Sequence, residues 1–236
     1  MGDRRDRGQD VRGEGGGEVK IILQSGESNR ECLNAWKAAR SMGLDIAGSM
    51  YADVGDVPVG DVEFCENIMR LQGIKVPTPD FYPRFLSQWF RREIRYKRAD
   101  EDWACSLRDQ FIKPAGRYKS EPARILPALH PMPHGFYAVS EVVKFVQEWR
   151  YYVSNGTVVA AGWYDGDNED EPAPDLAIEW PAEFCGAVDF GRLDTGEIAL
   201  VESHHPYACG WYGENDQSEV FLKWLIDGWE SLKWLN

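Results

Sequence analysis

The sequence predicts a mixed α/β protein. Three patterns carry that expectation: a short apolar strand feeding an amphipathic helix near the start, a run of β-hairpins through the second half, and an amphipathic helix at the end. The chain has 236 residues, 43% hydrophobic and 13% aromatic, with ten each of Trp, Tyr and Phe, which is ample for a packed core. Its 26 basic and 39 acidic side chains give a net charge of −13. So acidic a chain is poorly suited to general electrostatic binding of duplex DNA or anionic membranes. No apolar run approaches the roughly 20 residues of a membrane span, and the N-terminus has no apolar h-region. The five cysteines (Cys32, Cys65, Cys105, Cys185, Cys209) form no CxxC pair and read as reduced, mostly buried thiols. A soluble, cytoplasmic protein is expected.

Residues 1–18 are rich in Gly, Arg, Asp and Glu, and Val11 is the one apolar side chain after Met1. Such a stretch cannot offset its ordering entropy and is expected to be a disordered tail. Its glycines (Gly13, Gly15 to Gly17) precede the first strand, whereas a dinucleotide loop must follow one. Val19 to Gln24 is a strand, and Asn29 to Met42 is a helix with Cys32, Leu33, Trp36 and Ala39 on one face and Gly43 at its end. A second helix lies within Gly60 to Leu71, followed by the proline-punctuated crossing IKVPTPDFYP. Arg84 to Arg98 interleaves cations with Phe85, Trp89, Phe90 and Tyr96. This stretch offers single-stranded bases a stacking surface, but with the chain so acidic the aromatics are expected in the core, and nucleic acid is not an expected partner.

The second half reads as strands. Phe111 and Ile112 lead into Lys113, Tyr137 to Val143 is β-prone, and Asn155-Gly156 joins two apolar runs as a hairpin. Asp165 to Glu183 holds eight acids and no base, so its start is a solvated loop. Gly186 to Phe190 pairs with Ile198 to Glu202, and a helix near Gln217 to Leu235 closes the chain with Asp216 or Ser218 as cap.

The motifs of P-loop kinases, α/β-hydrolases and zincins are missing. What remains is charged residues at strand ends. Lys113 leaves a strand beside a small flexible loop, which suits a phosphate contact or, equally, a basic surface loop. Glu148 and Arg150 share a strand face, where they pair with each other or leave the arginine to clamp a phosphate. Asp189 and Glu202 fall on adjacent strands with His204 two residues on. Two carboxylates suit Mg²⁺ with substrate phosphates, and the histidine also admits zinc or manganese.

Taken in order, these residues lie in the strings FIKPAGRYKS, VSEVVKFVQEWRYYVSNGTVVAAGWY and AVDFGRLDTGEIALVESHHPYACGWYG. The order resembles the ATP-grasp superfamily, and more narrowly its divergent clade named for one arginine and two lysines, which includes a eukaryotic assembly factor for a translation initiation factor. Upstream, VGDVEFCENIMRLQGIKVPTPDFYP resembles the region before that clade's catalytic core. The resemblance implies an ATP-grasp fold with nucleotide between two β-rich subdomains: a small N-terminal α/β lobe over 19–108, then the core with its C-terminal helix over 109–236. It implies that Lys113 and Lys119 contact ATP phosphates and act with Arg150 at the phosphoryl-transfer centre. Ser140, Glu141, Val142 and Val143 would form the hinge that meets adenine, with Glu148 grouped among the nucleotide-contacting residues. Asp189, Glu202 and His204 would hold Mg²⁺, with Mn²⁺ as a second candidate; the superfamily usually has asparagine where this chain has His204. The implied activity is ATP-dependent carboxylate–amine ligation through an acyl phosphate, on small substrates or on a peptide or protein. The alternative is an ATP-binding assembly factor that ligates nothing.

Overall fold

The computed structural model describes residues 19–24, 29–48, 56–99, 108–118, 122–127, 133–214 and 216–234. The tail expected over 1–18, Cys105 and Lys119 lie outside the described residues. Three sheets organise the rest.

The first is parallel, in the order β2-β1-β3, with β1 (Lys20–Leu23) between β2 (Asp45–Gly48) and β3 (Val57–Val59). Helix α1 (Arg30–Met42) crosses between β1 and β2; Asn29 caps it by accepting from the Glu31 N–H, and Gly43 ends it in the left-handed conformation. The face it buries is Cys32, Ala35, Ala38 and Ala39, which corrects the sequence expectation. Leu33 and Trp36 are 52% and 39% exposed, the indole being covered by the Arg40 guanidinium at 5.0 Å. Small side chains win this face because they let the helix backbone approach the sheet and its neighbouring helix closely. Helix α2 (Val62–Leu71) follows β3, capped by Asp61 accepting from the Phe64 N–H.

Two antiparallel sheets follow. One runs β4-β7-β5-β6, from β4 (Ile94–Ala99), β7 (Gly135–Glu141), β5 (Gln110–Pro114) and β6 (Arg124–Ile125). Strand β4 pairs with β7, so this sheet has members on both sides of residue 108. Its faces differ as period-2 alternation requires: Ile112, Tyr137 and Val139 join Ala99 and Leu126 in a small core, while Lys113, Ala138 and Ser140 alternate onto the opposite face.

The other sheet runs β11-β10-β8-β9, from β8 (Phe145–Ser154), β9 (Thr157–Gly166), β10 (Gly186–Leu193) and β11 (Ile198–His204). The turn between β8 and β9 is the expected Asn155-Gly156, both at positive φ (47° and 71°), which fits the right-handed twist of a two-residue hairpin. Residues 142–144 run directly from β7 into β8 and so join the two sheets; the strand expected through Val143 stops at Glu141. Helix α3 (Ser218–Lys233) buries Phe221, Trp224, Leu225, Trp229 and Leu232, and the Trp224 indole donates to the Val153 and Gly186 carbonyls. Its N-cap is Gln217, without a side-chain hydrogen bond, so neither Asp216 nor Ser218 fills the expected role. Among the described residues no helix is long and apolar enough to cross a membrane.

Gly162 shows how closely the 205–214 segment lies on β9. A Cβ there would stand 1.7 Å from the Tyr212 carbonyl oxygen. Gly162→Ala should therefore cost at least the ~1–3 kcal/mol of an overpacked site, read as a lower urea midpoint. An unchanged midpoint would mean that the segment does not pack there.

Candidate functional site

Strand register assembles the site. Arg150 on β8 lies opposite Asp189 on β10, and Asp189 lies opposite Glu202 on β11, so all three point to one face. A bulge follows the Asp189–Glu202 pair, as Phe190 pairs with Leu200 and leaves Val201 over. Arg92, just before β4, reaches this irregularity and donates to the Leu200 and Val201 carbonyls at 2.8 and 3.2 Å.

The charges are tightly coupled. Arg150 and Asp189 form a buried bidentate pair, Nε to Oδ1 and Nη2 to Oδ2, both at 2.7 Å. Burial alone would lower the Arg150 guanidinium, but the Asp189 carboxylate holds it above its ordinary value. Tyr164 and Tyr212 place their rings 4.6 and 5.4 Å from the guanidinium carbon. Lys113, from the facing sheet, brings its ammonium onto Glu202 and lies 4.2 Å from the Phe81 ring centroid. Burial pushes Lys113 down to about 8, opposed by Asp189 and reinforced by Arg150 and Arg92. The second Glu202 oxygen is 2.7 Å from His204 Nε2. Ligand atoms of Asp189, Glu202 and His204 all lie within 4.8 Å of one another, close enough that these two carboxylates and an imidazole could hold one divalent ion. Lys113, Arg150, Glu202 and His204 line a cleft of about 510 Å³ together with Tyr118, Tyr164, Tyr207 and Tyr212, while Asp189 is fully buried against Arg150.

The structure thus brings together Lys113, Arg150, Asp189, Glu202 and His204. Ser140 is buried at the end of β7, Glu141 accepts from the Glu93 N–H at 2.9 Å, Val142 is exposed and Val143 half-buried, all at the junction of the two sheets. Glu148 does not take Arg150 as its partner in place of Asp189. Sequence reasoning missed Phe81, Tyr118, Tyr164 and Tyr212. A signal existed for two of them: Gly-Trp-Tyr occurs at 162–164 and again at 210–212, and both tyrosines meet Arg150.

Burial, with Asp189 and Asp165 adding to it, raises Glu148 from 4.5 to about 7. Between those values the folded chain binds more protons than the unfolded one. The stability from Glu148 is therefore complete below the unfolded value and lost as pH rises through 7; Lys113, shifted the other way, acts only above 8. Glu148→Gln should flatten the fall in melting temperature between about pH 4.5 and 7. Parallel curves for the two proteins would show that Glu148 titrates normally.

Residues 89–221, more than half of the chain, match the model of an ATP-grasp domain family, the second family of the clade named for one arginine and two lysines, and the chain belongs to that family. No curated protein matches it. Among solved structures, a RimK-domain ATP-grasp protein from Sphaerobacter thermophilus superposes with a TM-score of 0.50 at 9% identity, covering 88% of this chain and 100% of the other. The D-alanyl-alanine synthetase A of Vibrio cholerae gives 0.46 at 13% identity, covering 89% and 98%. The ATP-grasp ligase PsnB, complexed with minimal precursor, Mg and ADP, gives 0.45 at 9%, covering 91% and 97%. The first of these likenesses supports the ATP-grasp fold, and at such identities it supports the fold alone.

Proposed function

We propose that this protein is an ATP-dependent carboxylate–amine ligase that works through an acyl phosphate, with a peptide or protein among its substrates. The observation that carries the reading is the convergence, from four strands of two sheets, of Lys113, Arg150, Glu202 and His204 on one cleft with Asp189 buried beside them. A substrate carboxylate oxygen would attack the γ-phosphorus as ADP leaves. An amine nitrogen would then attack the acyl carbon, forming the C–N bond as phosphate leaves and the nitrogen gives up a proton. Lys113 and Arg150 would offset phosphate charge, which is most of what a protein contributes to such chemistry. Asp189, Glu202 and His204 would hold the divalent ion, Mg²⁺ or Mn²⁺, which supplies further charge neutralisation when bound. Ser140 to Val143 would receive the adenine side of the nucleotide, Glu148 would be a further nucleotide contact, and Lys119 would meet a phosphate. In the proposed division into a lobe over 19–108 and a core over 109–236, β4 reaches across to complete the core's sheet. The setting we propose is the cytoplasm, where buried free thiols stay reduced.

Incubation with ATP, Mg²⁺ and cell lysate should give ATP-dependent mass additions, with ADP and phosphate released only when both substrates are present. Retention of ATP without turnover, together with a co-purifying partner, would favour the assembly-factor reading instead. Lys113→Ala should weaken ATP binding by about thirtyfold or more, the effect of losing a desolvated charge contact. Thr157→Ala, at the exposed start of β9, should leave it unchanged. Equal affinities in the two variants by calorimetry would remove Lys113 from the nucleotide site.

A further inference from the structure

A second cavity, of about 610 Å³, shares Tyr118, His204 and His205 with the phosphate-side cleft. The phosphoryl chemistry leaves it without a task. Its apolar wall is aromatic: Phe85 and Phe184 line it and meet edge-on at 5.2 Å, and Trp180, outside the lining, stacks on Phe184 at 5.6 Å. Trp234, also on the wall, is 83% exposed, a large apolar side chain left uncovered beside the opening. Besides the two histidines, three charged side chains are in the lining: the carboxylates of Asp80 and Glu183, and the guanidinium of Arg84.

We infer that this cavity seats the amine substrate, and that the amine is carried on an aromatic or other bulky apolar group. The inference rests on the ligase reading above and adds the class of one substrate to it. Position is the first argument. His204 is common to both cavities and lies against Glu202, which in turn holds Lys113, so a ligand here has its reactive end beside the phosphoryl site. Shape is the second. The volume falls in the range of sites that enclose a whole small molecule, and ammonia or glycine would leave it largely unfilled. A flat ring would find aromatic partners in the lining side chains Phe85, Phe184 and Trp234. Charge is the third. Two carboxylates against one guanidinium favour an ammonium arriving from solvent and disfavour a carboxylate, and the net charge of −13 acts in the same direction. The carboxylate substrate is thereby directed to the other cleft, where Arg150 and Lys113 lie.

The test is direct binding of three probes by calorimetry without nucleotide: L-phenylalaninamide, glycinamide and N-acetyl-L-phenylalanine. L-Phenylalaninamide should bind at least about tenfold more tightly than either of the others, as burial of one phenyl ring requires. Ser231→Phe projects a ring into the cavity from α3, and Phe85→Ala removes part of its aromatic wall. Each should weaken that binding about tenfold or more while ATP affinity stays as in the parent protein. Equal binding of glycinamide, equal binding of the acidic probe, or unchanged affinity in both variants would overturn the inference while ATP binding and turnover stood. Failure of the parent protein to bind ATP would overturn the ligase reading, and the assignment of an amine substrate with it.

Discussion

Asp189→Asn should destabilise the protein by about 3–5 kcal/mol, the usual cost of leaving one member of a buried ion pair without its partner. Asp189 is fully buried, and both of its oxygens are taken by the Arg150 fork. Asparagine keeps the shape, but it offers one acceptor oxygen and turns an NH₂ group toward a guanidinium that has no other carboxylate against it in that geometry. The double variant Arg150→Met with Asp189→Leu should recover much of the loss, because a well-packed apolar pair can replace a buried ion pair at little cost. Urea unfolding of the two variants and the parent separates these contributions. A loss below about 1 kcal/mol in Asp189→Asn would mean that the pair is solvated after all.

That coupling bears on what the sequence discloses. Arg150 and Asp189 were each legible as candidate site residues, one proposed as a phosphate clamp and the other as a metal ligand. Their pairing was not legible, because alternation along β8 and β10 fixes which face a side chain takes and leaves open which residue lies opposite. The β8–β10 ladder shifts register at Arg192/Leu193 and its flanking ladders at Glu148/Trp149, Tyr152/Val153 and Asp189/Phe190, and no pattern of apolar residues marks these irregularities. The β8–β9 hairpin was legible because Asn155-Gly156 is a local signal, and so was the adjacency of β10 and β11. The position of β4 beside β7 was not, since about forty residues separate the paired strands and the contact is decided by packing. Arg92 was hidden for a related reason. In the sequence it is one cation of a basic run; in the fold it donates to the nearby Phe90 carbonyl and, across the chain, to the Leu200 and Val201 carbonyls at the bulge.

Glu202→Gln should abolish phosphoryl transfer while leaving the protein folded. Glu202 is shared between the Lys113 ammonium and His204, and both contacts survive in part when the carboxylate becomes an amide of the same size. What is lost is the negative charge that a divalent ion needs. Both carboxylates of the candidate metal site are already held by cations of the chain itself, Asp189 by Arg150 and Glu202 by Lys113. Mg²⁺ sheds its waters reluctantly, so against those cations it should bind poorly alone. Nucleotide phosphates would draw Lys113 from Glu202, and Mg²⁺ affinity should rise sharply when nucleotide is added. A calorimetric Mg²⁺ affinity that is the same with and without a non-hydrolysable ATP analogue would contradict this exchange. His204→Asn separates the ion from the histidine. It installs the residue usual in the superfamily, whose amide oxygen suits Mg²⁺, so activity with Mg²⁺ should persist or increase. Loss of that activity would give His204 a task of its own, and activity of the parent protein only with Mn²⁺ or Zn²⁺ would show that Mg²⁺ is the wrong ion.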